Sequence, residues 1–327
     1  MNVVTFDVVI VGAGIVGAAC ADEFAQAGLR VAVVEAGQIG GGATAAGMGH
    51  ITVMDDSEAQ FALTNYSQQL WRALAAELPT DTEYVECGAI WVAADDEEMN
   101  EVRRKQIFYE QRGVPVEVLD AKALAEVEPN LRAGLAGGLR VPQDGVMYPP
   151  CGARFFIERA QLRGALLFIG KPVVELTGKG ARLSDGSFIA AGFVVNATGS
   201  WSPELTPGID VQKRKGHLVI TDRYPGFVRH QLIELGYLKS AHSIATDSVA
   251  FNAQPRKTGQ ILIGSSRQYA PKQTNPVATA PGTALAEGKQ IDQPILTRMI
   301  DRAVEYMPRL AKLSVLRAWT GFRAATP

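Results

Sequence analysis

Cysteine, histidine and net charge are all scarce in this sequence, and each shortage excludes a class of protein. Lysine and arginine number 32 and aspartate and glutamate 34, so the formal net charge of −2 gives no electrostatic basis for binding nucleic acid or an acidic membrane surface. The three cysteines, Cys20, Cys87 and Cys151, are far apart, form no CxxC pair and have no histidine at a metal-sharing spacing. We therefore expect reduced, buried thiols in a cytoplasmic protein and no metal site.

A long uninterrupted apolar run is also missing. The N-terminal stretch MNVVTFDVVIVGAGIVGAAC is apolar, but it has no basic segment in front and is interrupted by Asp7 and three glycines. It therefore predicts neither a signal peptide nor a membrane span, although attachment to the inner face of a membrane stays open. With 327 residues, 47% of them hydrophobic, the chain is long enough for two domains.

The most specific pattern lies within the first fifty residues. The β-branched run at 8–11 predicts a strand buried on both faces, and residues 15–27 have helical periodicity that ends before Gly28. A second buried strand follows at 31–34. A GxGxxG turn joins the first strand to the helix, and Glu35 stands 18 residues after its last glycine. This order predicts a βαβ unit that binds a dinucleotide; a βαβ unit without a ligand is the alternative.

Each residue of this fingerprint has a physical reason. Gly12 permits the tight turn, Gly14 lets the backbone approach a pyrophosphate, and Gly17 lets helix and strand pack closely. The pyrophosphate is expected at the helix N-terminus, where free N–H groups and the helix dipole favour an anion. Glu35 is expected to accept hydrogen bonds from both ribose hydroxyls, which argues against a 2′-phosphate.

Two later turns rich in small residues predict further contacts with a large cofactor. Residues 40–50, which include GGATAAGMGH, lack the large apolar residues of a crossover helix, so we expect a loop that lies against something flat and bulky. Much later, a strand at 193–196 leads into the stretch NATGSWS. Distant parts of the chain are therefore expected to hold one cofactor.

Together, GxGxxG with Glu35, GGATAAGMG and VVNATGSWS resemble the D-amino-acid oxidase and glycine oxidase family of FAD-dependent oxidoreductases. The resemblance extends over the whole chain, and the stretch AAGMGHITVMDDSEAQFALTNYSQQLW is most similar to bacterial D-hydroxyproline dehydrogenase-like members. It implies an α/β fold in which a Rossmann-type FAD-binding domain with a parallel sheet is interleaved with an α+β substrate domain that has a mostly antiparallel sheet. We assign to the first domain 1–85, 145–212 and 318–327, and to the second 86–144 and 213–317.

The second domain is expected to begin with a strand at 86–94, followed later by a strand at 215–221. The stretch 248–266 predicts a β-hairpin with its turn at 255–259, and 269–288 predicts a loop or lid. Glycine oxidase has a tyrosine in the strand that matches 248–254, and none is present there. Candidates for a replacement, or for core and rim positions, are Phe251, Tyr237 and Tyr269.

The resemblance implies bound FAD and a set of residues that contact it. These are Gly12, Gly14 and Gly17 at the pyrophosphate, Glu35 and Ala36 at the adenosine ribose, Gly42, Ala43, Thr44, Gly47, Met48 and Gly49 along the diphosphate and the flavin ring, Val174 at the adenine, and Ala197, Thr198, Gly199 and Trp201 at the second FAD turn. For Val174 a plain core role is the alternative. Some members carry a flavin-linked histidine three residues before the glycine that matches Gly47; Thr44 stands there, so we expect non-covalent FAD.

Two residues are candidates for catalysis. Arg323 lies in WTGFRAAT, which is similar to the family's GxRP segment with Ala324 in place of proline, and its planar fork suits a substrate carboxylate. An exposed arginine without such a role is the alternative. His50 follows the small-residue loop and is expected to face the flavin or the substrate; a solvent-facing or packed histidine is the alternative.

The resemblance implies oxidation of the C–N bond of a small amino or imino acid, such as D-hydroxyproline or D-proline, by hydride transfer to flavin N5. The electron acceptor stays open between oxygen, a quinone and another protein. One alternative is an FAD-binding subunit of an opine- or sarcosine-type hetero-oligomer that is inactive alone. Another, an NAD-dependent dehydrogenase, is supported only by the first fingerprint. Family members continue beyond this arginine to a last helix, so we expect the chain to be a truncated form.

Overall fold

The computed structural model describes residues 5–236, 247–269 and 290–326. Within these ranges the strands are β1 Thr5–Val11, β2 Val31–Glu35, β3 His50–Ile51, β4 Ala89–Ala93, β5 Glu117–Asp120, β6 Gly137–Val141, β7 Gly145–Val146, β8 Leu166–Ile169, β9 Val173–Thr177, β10 Gly180–Leu183, β11 Phe188–Asn196, β12 Gln212–Thr221, β13 Gln231–Glu234, β14 Ser248–Pro255, β15 Ile261–Tyr269 and β16 Val315–Ala325. The α-helices are α1 Ile15–Gln26, α2 Gly42–Ala46, α3 Glu58–Leu74, α4 Asp96–Glu110, α5 Ala121–Val127, α6 Pro149–Leu162, α7 Ser202–Leu205 and α8 Gln293–Tyr306. Short 3₁₀ segments lie at Thr80–Thr82, Gly199–Trp201 and Pro308–Lys312.

The first sheet has six strands in the order β8, β2, β1, β11, β10, β9. The first four run parallel, whereas β10 and β9 pair antiparallel. Helices α1 and α6 cover one face through an apolar cluster that includes Val8, Ile10 and Val33. The predicted strand, turn, helix and strand are confirmed in this order, and Gly28 ends α1 with a φ of 81°, a left-handed conformation that glycine tolerates.

The second sheet has eight strands in the order β16, β12, β15, β14, β13, β4, β6, β5, and only β13 and β4 pair parallel. Helix α8 packs on it, with Tyr306 stacked on Phe251 at a ring distance of 4.7 Å. The predicted hairpin is confirmed by β14 and β15, and the other two predicted strands by β4 and β12. Phe251 is fully buried in this core rather than at the rim of a pocket.

The predicted α/β fold with one largely parallel and one mostly antiparallel sheet is therefore confirmed. The division into domains stays a prediction, but strand membership bears on one part of it. We placed 318–327 in the cofactor-binding domain, whereas β16 pairs with β12 along its length in the eight-stranded sheet. Eight of the ten register pairs between β12 and β16 lie within 318–325.

The structure corrects two expectations. Residues 42–46 form the short helix α2 rather than a loop, because alanine favours the helix and Gly42, with a φ of 58°, provides the sharp entry. The three cysteines form no disulfide, as predicted, but they are half-buried rather than buried.

Two sequence-based expectations concern residues outside the described ranges. Tyr237 and nearly all of the predicted lid lie outside the described residues. None of the helices in the described ranges is long and apolar enough to cross a membrane.

Candidate functional site

The glycine turn after β1 is closed against the turn that follows β11. Gly12 has a φ of 104°, and a Cβ there would lie 2.5 Å from the carbonyl oxygen of Ala197. A Cβ on Gly17 would lie 1.9 Å from the carbonyl oxygen of Gly12. Both positions therefore require glycine, the first for backbone conformation and approach, the second for packing of α1 on the turn.

Thr44 of helix α2 lies at the N-terminus of α1. Its hydroxyl oxygen accepts a hydrogen bond from the backbone N–H of Ile15 at 3.0 Å, and a Cβ on Gly14 would lie 3.2 Å from the same oxygen. No acidic residue occupies the first turn of α1. The hydroxyl proton of Thr44 and the other N–H groups of this helix end are donors, so the end is suited to an anion.

Glu35 closes the same region from the end of β2. One carboxylate oxygen accepts a hydrogen bond from the N–H of Ala13 and the other from the N–H of Gly37, both at 2.7 Å. These bonds fix the carboxylate beside the glycine turn, and each oxygen keeps a further lone pair for a hydroxyl donor. Ala36, the next residue, is exposed.

The second predicted turn, after β11, is held by Asn196. Its side-chain oxygen accepts a hydrogen bond from the Thr198 hydroxyl at 2.6 Å, and its side-chain nitrogen donates to the Thr206 hydroxyl at 2.8 Å. The N–H of Ala197 donates to the carbonyl of Val11 at 2.8 Å, which joins the two turns. We did not identify Asn196 as a site residue from the sequence, although an asparagine at the end of an apolar strand is typical of a following turn.

Trp201 connects this second turn with α2 and β16. A Cβ on Gly42 would lie 3.6 Å from its ring, Phe322 meets it edge-on at a centroid distance of 6.4 Å, and the Lys213 ammonium lies 5.0 Å from the ring centroid. Its indole N–H is buried and has no hydrogen-bond partner within the described parts of the chain.

Val174, predicted to contact the adenine, lies away from the glycine turn. It is half-exposed on β9, with β10 and β11 between it and β1.

A cavity of about 280 Å³ lies between α2, its following loop and the second sheet. It is lined by Ala43, Ala46, Gly47, Met48, Gly49, His50, Gly216, Leu218, Asn252, Ser265, Gly321, Phe322 and Arg323. Six of the predicted site residues are thus brought together: Ala43, Gly47, Met48, Gly49, His50 and Arg323. Sequence reasoning missed Gly216 and Asn252, although a glycine within a strand indicates a close approach by another group.

Arg323 enters the cavity from β16. Its Nη1 donates a hydrogen bond to the carbonyl of Ser266 at 2.9 Å, and it forms no ion pair with any described residue. The side chain is solvent-accessible yet crowded by protein atoms, as expected for a cavity wall. This crowding lowers the pKa of the guanidinium, and the charge of Arg214, its cross-strand neighbour, lowers it further. The cavity is therefore electropositive on this side.

His50 lies opposite Val146 in the β3–β7 pair. Burial lowers its pKa to about 4, a nearby Gln254 acts in the opposite direction, and the charge of Arg323 lowers the pKa further. The imidazole is therefore neutral at pH 7. Its Nε2 and the side-chain oxygen of Asn252 are both buried at the cavity without a hydrogen-bond partner among the described residues.

The loop that precedes His50 is anchored on both sides. Gln254 donates a hydrogen bond from its side-chain nitrogen to the carbonyl of Met48 at 2.7 Å. A Cβ on Gly49, whose φ is 78°, would lie 2.1 Å from the carbonyl oxygen of Met147. On the other side of the cavity a Cβ on Gly321 would lie 2.1 Å from the Cβ of Ala46, so β16 and α2 are in direct contact.

Residues 7–327 match the DAO family, described as FAD dependent oxidoreductase. The chain belongs to this family. It is therefore an FAD-dependent oxidoreductase, and its cofactor is FAD.

Two relatives and two solved structures are similar over nearly the whole chain. Glycine oxidase of Geobacillus kaustophilus is 28% identical over an alignment of 337 residues, which covers 98% of this chain and 82% of the relative. The crystal structure of glycine oxidase from Geobacillus kaustophilus has a TM-score of 0.82 at 26% identity, covering 98% of this chain and 83% of that one. The hydrogen cyanide synthase subunit HcnC of Pseudomonas aeruginosa is 26% identical, covering 99% of this chain and 83% of the relative. L-Proline dehydrogenase from P. horikoshii shares the fold, with a TM-score of 0.81 at 24% identity over 99% of this chain and 83% of that one.

The residues present fit the cofactor of this DAO-family chain. The cradle after β1 is kept open by Gly12, where a side chain would meet the backbone of the second turn. The end of α1 offers N–H groups and the Thr44 hydroxyl to a pyrophosphate, and Glu35 is held where ribose hydroxyls can donate to it. The roles of the individual residues toward FAD remain proposals.

Proposed function

We propose that the chain oxidises the C–N bond of a small amino or imino acid whose carboxylate is bound by Arg323. The observation that carries this proposal is the position of Arg323 in the same cavity as the segment from Ala43 to His50, with no acidic partner among the described residues. Similarity to a protein named glycine oxidase supports the same substrate class.

Arg323 would hold the substrate by its carboxylate. A guanidinium has five N–H donors in a planar fork, and the bond to the Ser266 carbonyl uses only one of them. The remaining donors can bind a carboxylate in a bidentate geometry. The cavity volume of about 280 Å³ favours a small substrate, such as D-proline, D-hydroxyproline or a similar amino acid.

FAD, when bound, supplies the acceptor of the hydride that leaves the substrate carbon. The chain would place the two reactants: the α1 end and Thr44 hold the pyrophosphate, Glu35 holds the ribose, and the residues after α2 line the flavin side of the cavity. Neutral His50 would donate or accept a hydrogen bond at the substrate without contributing a charge. Thr44 in place of a flavin-linked histidine supports non-covalent binding of FAD, and a cytoplasmic location remains part of the proposal.

A second candidate is an FAD-binding subunit that is inactive without a partner chain. Similarity to HcnC, which is named as a subunit of hydrogen cyanide synthase, favours it. The two candidates differ in one measurable property, because only an autonomous enzyme lets its substrate reduce the bound flavin without another protein.

The test is anaerobic bleaching of the protein-bound flavin by cis-4-hydroxy-D-proline, D-proline, other D-amino acids, glycine and sarcosine. Bleaching by one or more of these acids supports the proposal and ranks the substrates by rate. Matched amines without a carboxylate serve as controls and should bleach slowly or not at all. If no compound bleaches until a partner chain is added, the subunit candidate is correct. Equal bleaching by the acids and the amines would contradict the role of Arg323.

A further inference from the structure

The guanidinium of Arg323 spans a neighbouring strand. Arg323 lies on β16, its Nη1 reaches the Ser266 carbonyl on β15, and β12 lies between these two strands. The side chain crosses β12 at Gly216, where a Cβ would lie 2.4 Å from Nη1 and 2.8 Å from Cζ. Any side chain at this position would displace the guanidinium, so Gly216 forms the surface on which Arg323 lies.

The Ser266 carbonyl is available to Arg323 because the sheet is irregular at this point. The pairing between β12 and β15 shifts register between Lys215 and Val219. Within this gap the backbone N–H of His217 donates to the Ser266 hydroxyl at 2.9 Å instead of to a strand carbonyl. The hydroxyl thereby fixes the position of Ser266 in a stretch that the regular ladder does not hold.

His217 is the next member of this arrangement. It is fully buried, its Nδ1 lies 2.8 Å from the Ser266 hydroxyl oxygen, and its Nε2 lies 3.0 Å from the backbone nitrogen of Asp292. Because the Asp292 N–H can only donate, Nε2 must be the unprotonated nitrogen, and Nδ1–H donates to Ser266. Burial lowers the pKa of His217, and the charge of Lys215 acts in the same direction, which favours this neutral form.

Asp292 fixes the far end of the chain of hydrogen bonds. Its Oδ1 caps α8 by accepting from the N–H of Ile295 at 3.2 Å, and its Oδ2 accepts from the Gln268 side chain at 3.1 Å. The start of an amphipathic helix packed on the second sheet is thus connected, through two side chains, to the carbonyl that holds Arg323.

We propose that His217 and Ser266 are positioning residues for Arg323, and that their hydrogen bonds, together with the absence of a side chain at Gly216, set the affinity of the cavity for a carboxylate. This inference rests on the proposed function, because it takes Arg323 as the carboxylate-binding group. None of the three residues is expected to take part in the chemical step.

The experiment measures carboxylate binding directly. Glycolate is titrated into the FAD-loaded protein by calorimetry, and glycolamide, which has the same size without the charge, is the control ligand. The variants are Ser266→Ala, which removes the acceptor of both His217 donors, and His217→Gln, which removes the Nδ1 donor. Loss of one such hydrogen bond should weaken glycolate binding roughly two- to tenfold and leave glycolamide binding unchanged.

Conservative replacements separate positioning from general destabilisation. Ser266→Thr keeps the hydroxyl, and His217→Asn keeps a donor close to the place of Nδ1, so both should restore most of the glycolate affinity. Thr258→Ala, in the exposed turn of the hairpin, is the neutral control. With a substrate that the enzyme oxidises, Ser266→Ala and His217→Gln should raise KM by the same factor as they weaken glycolate binding. They should leave kcat within about twofold, because the carboxylate is held equally in the ground state and the transition state.

The outcomes distinguish the inference from the function on which it rests. If Arg323→Lys loses glycolate affinity while Ser266→Ala and His217→Gln keep it, the positioning role is wrong and the carboxylate site stands. If the wild-type protein does not prefer glycolate to glycolamide, both fail. If an alanine variant does not fold, the comparison of His217→Asn with His217→Gln decides, because equal affinities in that pair would overturn the proposal.

Discussion

Arg323 and His50 line the same cavity, yet they contribute opposite electrostatic properties. Arg323 keeps its charge despite crowding, because a guanidinium remains protonated in proteins. His50 loses its charge because it is buried beside that arginine. The cavity therefore combines one fixed cation with one neutral polar ring, an arrangement suited to a substrate that is an anion at one end and a neutral amine at the other.

Replacing Arg323 should affect binding more than folding. In Arg323→Ala a substrate carboxylate loses a charge-assisted partner worth on the order of 1.5 to 3 kcal/mol, so kcat/KM should fall about tenfold or more. Arg323→Lys keeps the charge but not the planar fork of N–H donors, so its kcat/KM should lie between those of the wild type and Arg323→Ala. Steady-state kinetics with the best substrate from the bleaching panel measure this, and unchanged kinetics in the alanine variant would rule out the proposed role.

His50 makes stability depend on pH. The folded protein binds a proton at His50 only below a pKa of about 4, whereas the unfolded chain binds it below about 6.5, so acid favours unfolding between these values. Between pH 7.5 and pH 5 the free energy of unfolding of His50→Asn should therefore fall by about 2 kcal/mol less than that of the wild type. Urea unfolding at both pH values tests this, with pH 7.5 as the baseline where the histidine is neutral in both states.

At the level of secondary structure, the contact between α2 and β16 connects the side of the cavity proposed for the flavin with the side proposed for the substrate carboxylate. Gly321 lies directly against Ala46, with no room for a Cβ on the strand. Helix α2 also carries Thr44, which is bonded to the start of α1. The separation of these two elements therefore sets the distance between Arg323 and the residues expected to line the flavin.

Gly321→Ala should force α2 and β16 apart. Overpacking of this kind costs about 1 to 3 kcal/mol, and the wider cavity should raise KM because Arg323 moves away from the flavin side. Gly178→Ala is the matched control, because a Cβ there meets nothing within 4 Å, and its effect should stay within about 0.5 kcal/mol. Thermal unfolding and KM are measured for both variants; equal behaviour of the two would contradict the contact.

The elements that sequence predicted well are those whose pattern is local. The strand, glycine turn, helix and strand at the N-terminus follow from an apolar run, three glycines and helical periodicity within one short segment. Helix α2 was missed because five small residues have no periodicity to detect. The place of β16 in the second sheet and the bonds between His217 and Ser266 depend on residues far apart in the chain, and no local pattern encodes such a pairing.

For the molecule as a whole, a buried charge network ties the loop after β3 to helix α4. Asp55 and Lys105 form an ion pair with both side chains almost completely buried, and Arg104 also contacts Asp55 at 2.6 Å. Lys105 lies 4.2 Å from the ring centroid of Trp91 in the second sheet. Burial alone would raise the pKa of Asp55, but the two cations outweigh it and lower the pKa.

Breaking this network should destabilise the whole protein. Asp55→Asn leaves the Lys105 ammonium buried without its anion, which costs about 3 to 5 kcal/mol. Glu175→Gln removes one partner of an exposed ion pair with Arg182 and is the matched control, expected to cost less than about 1 kcal/mol. Chemical denaturation measures both free energies of unfolding, and a small effect of Asp55→Asn would show that the lysine is neutralised in another way.

The two sheets contribute different kinds of residues to the cavity. Residues expected to hold the cofactor lie on turns of the first sheet and on α2, whereas Gly216, Asn252, Ser265 and Arg323 come from the second sheet. Substitutions in β12, β14, β15 and β16 can therefore alter which molecule is accepted while the FAD cradle is inherited unchanged. Gene duplication followed by sequence change in these four strands would give descendants with new substrate specificities and the same redox chemistry.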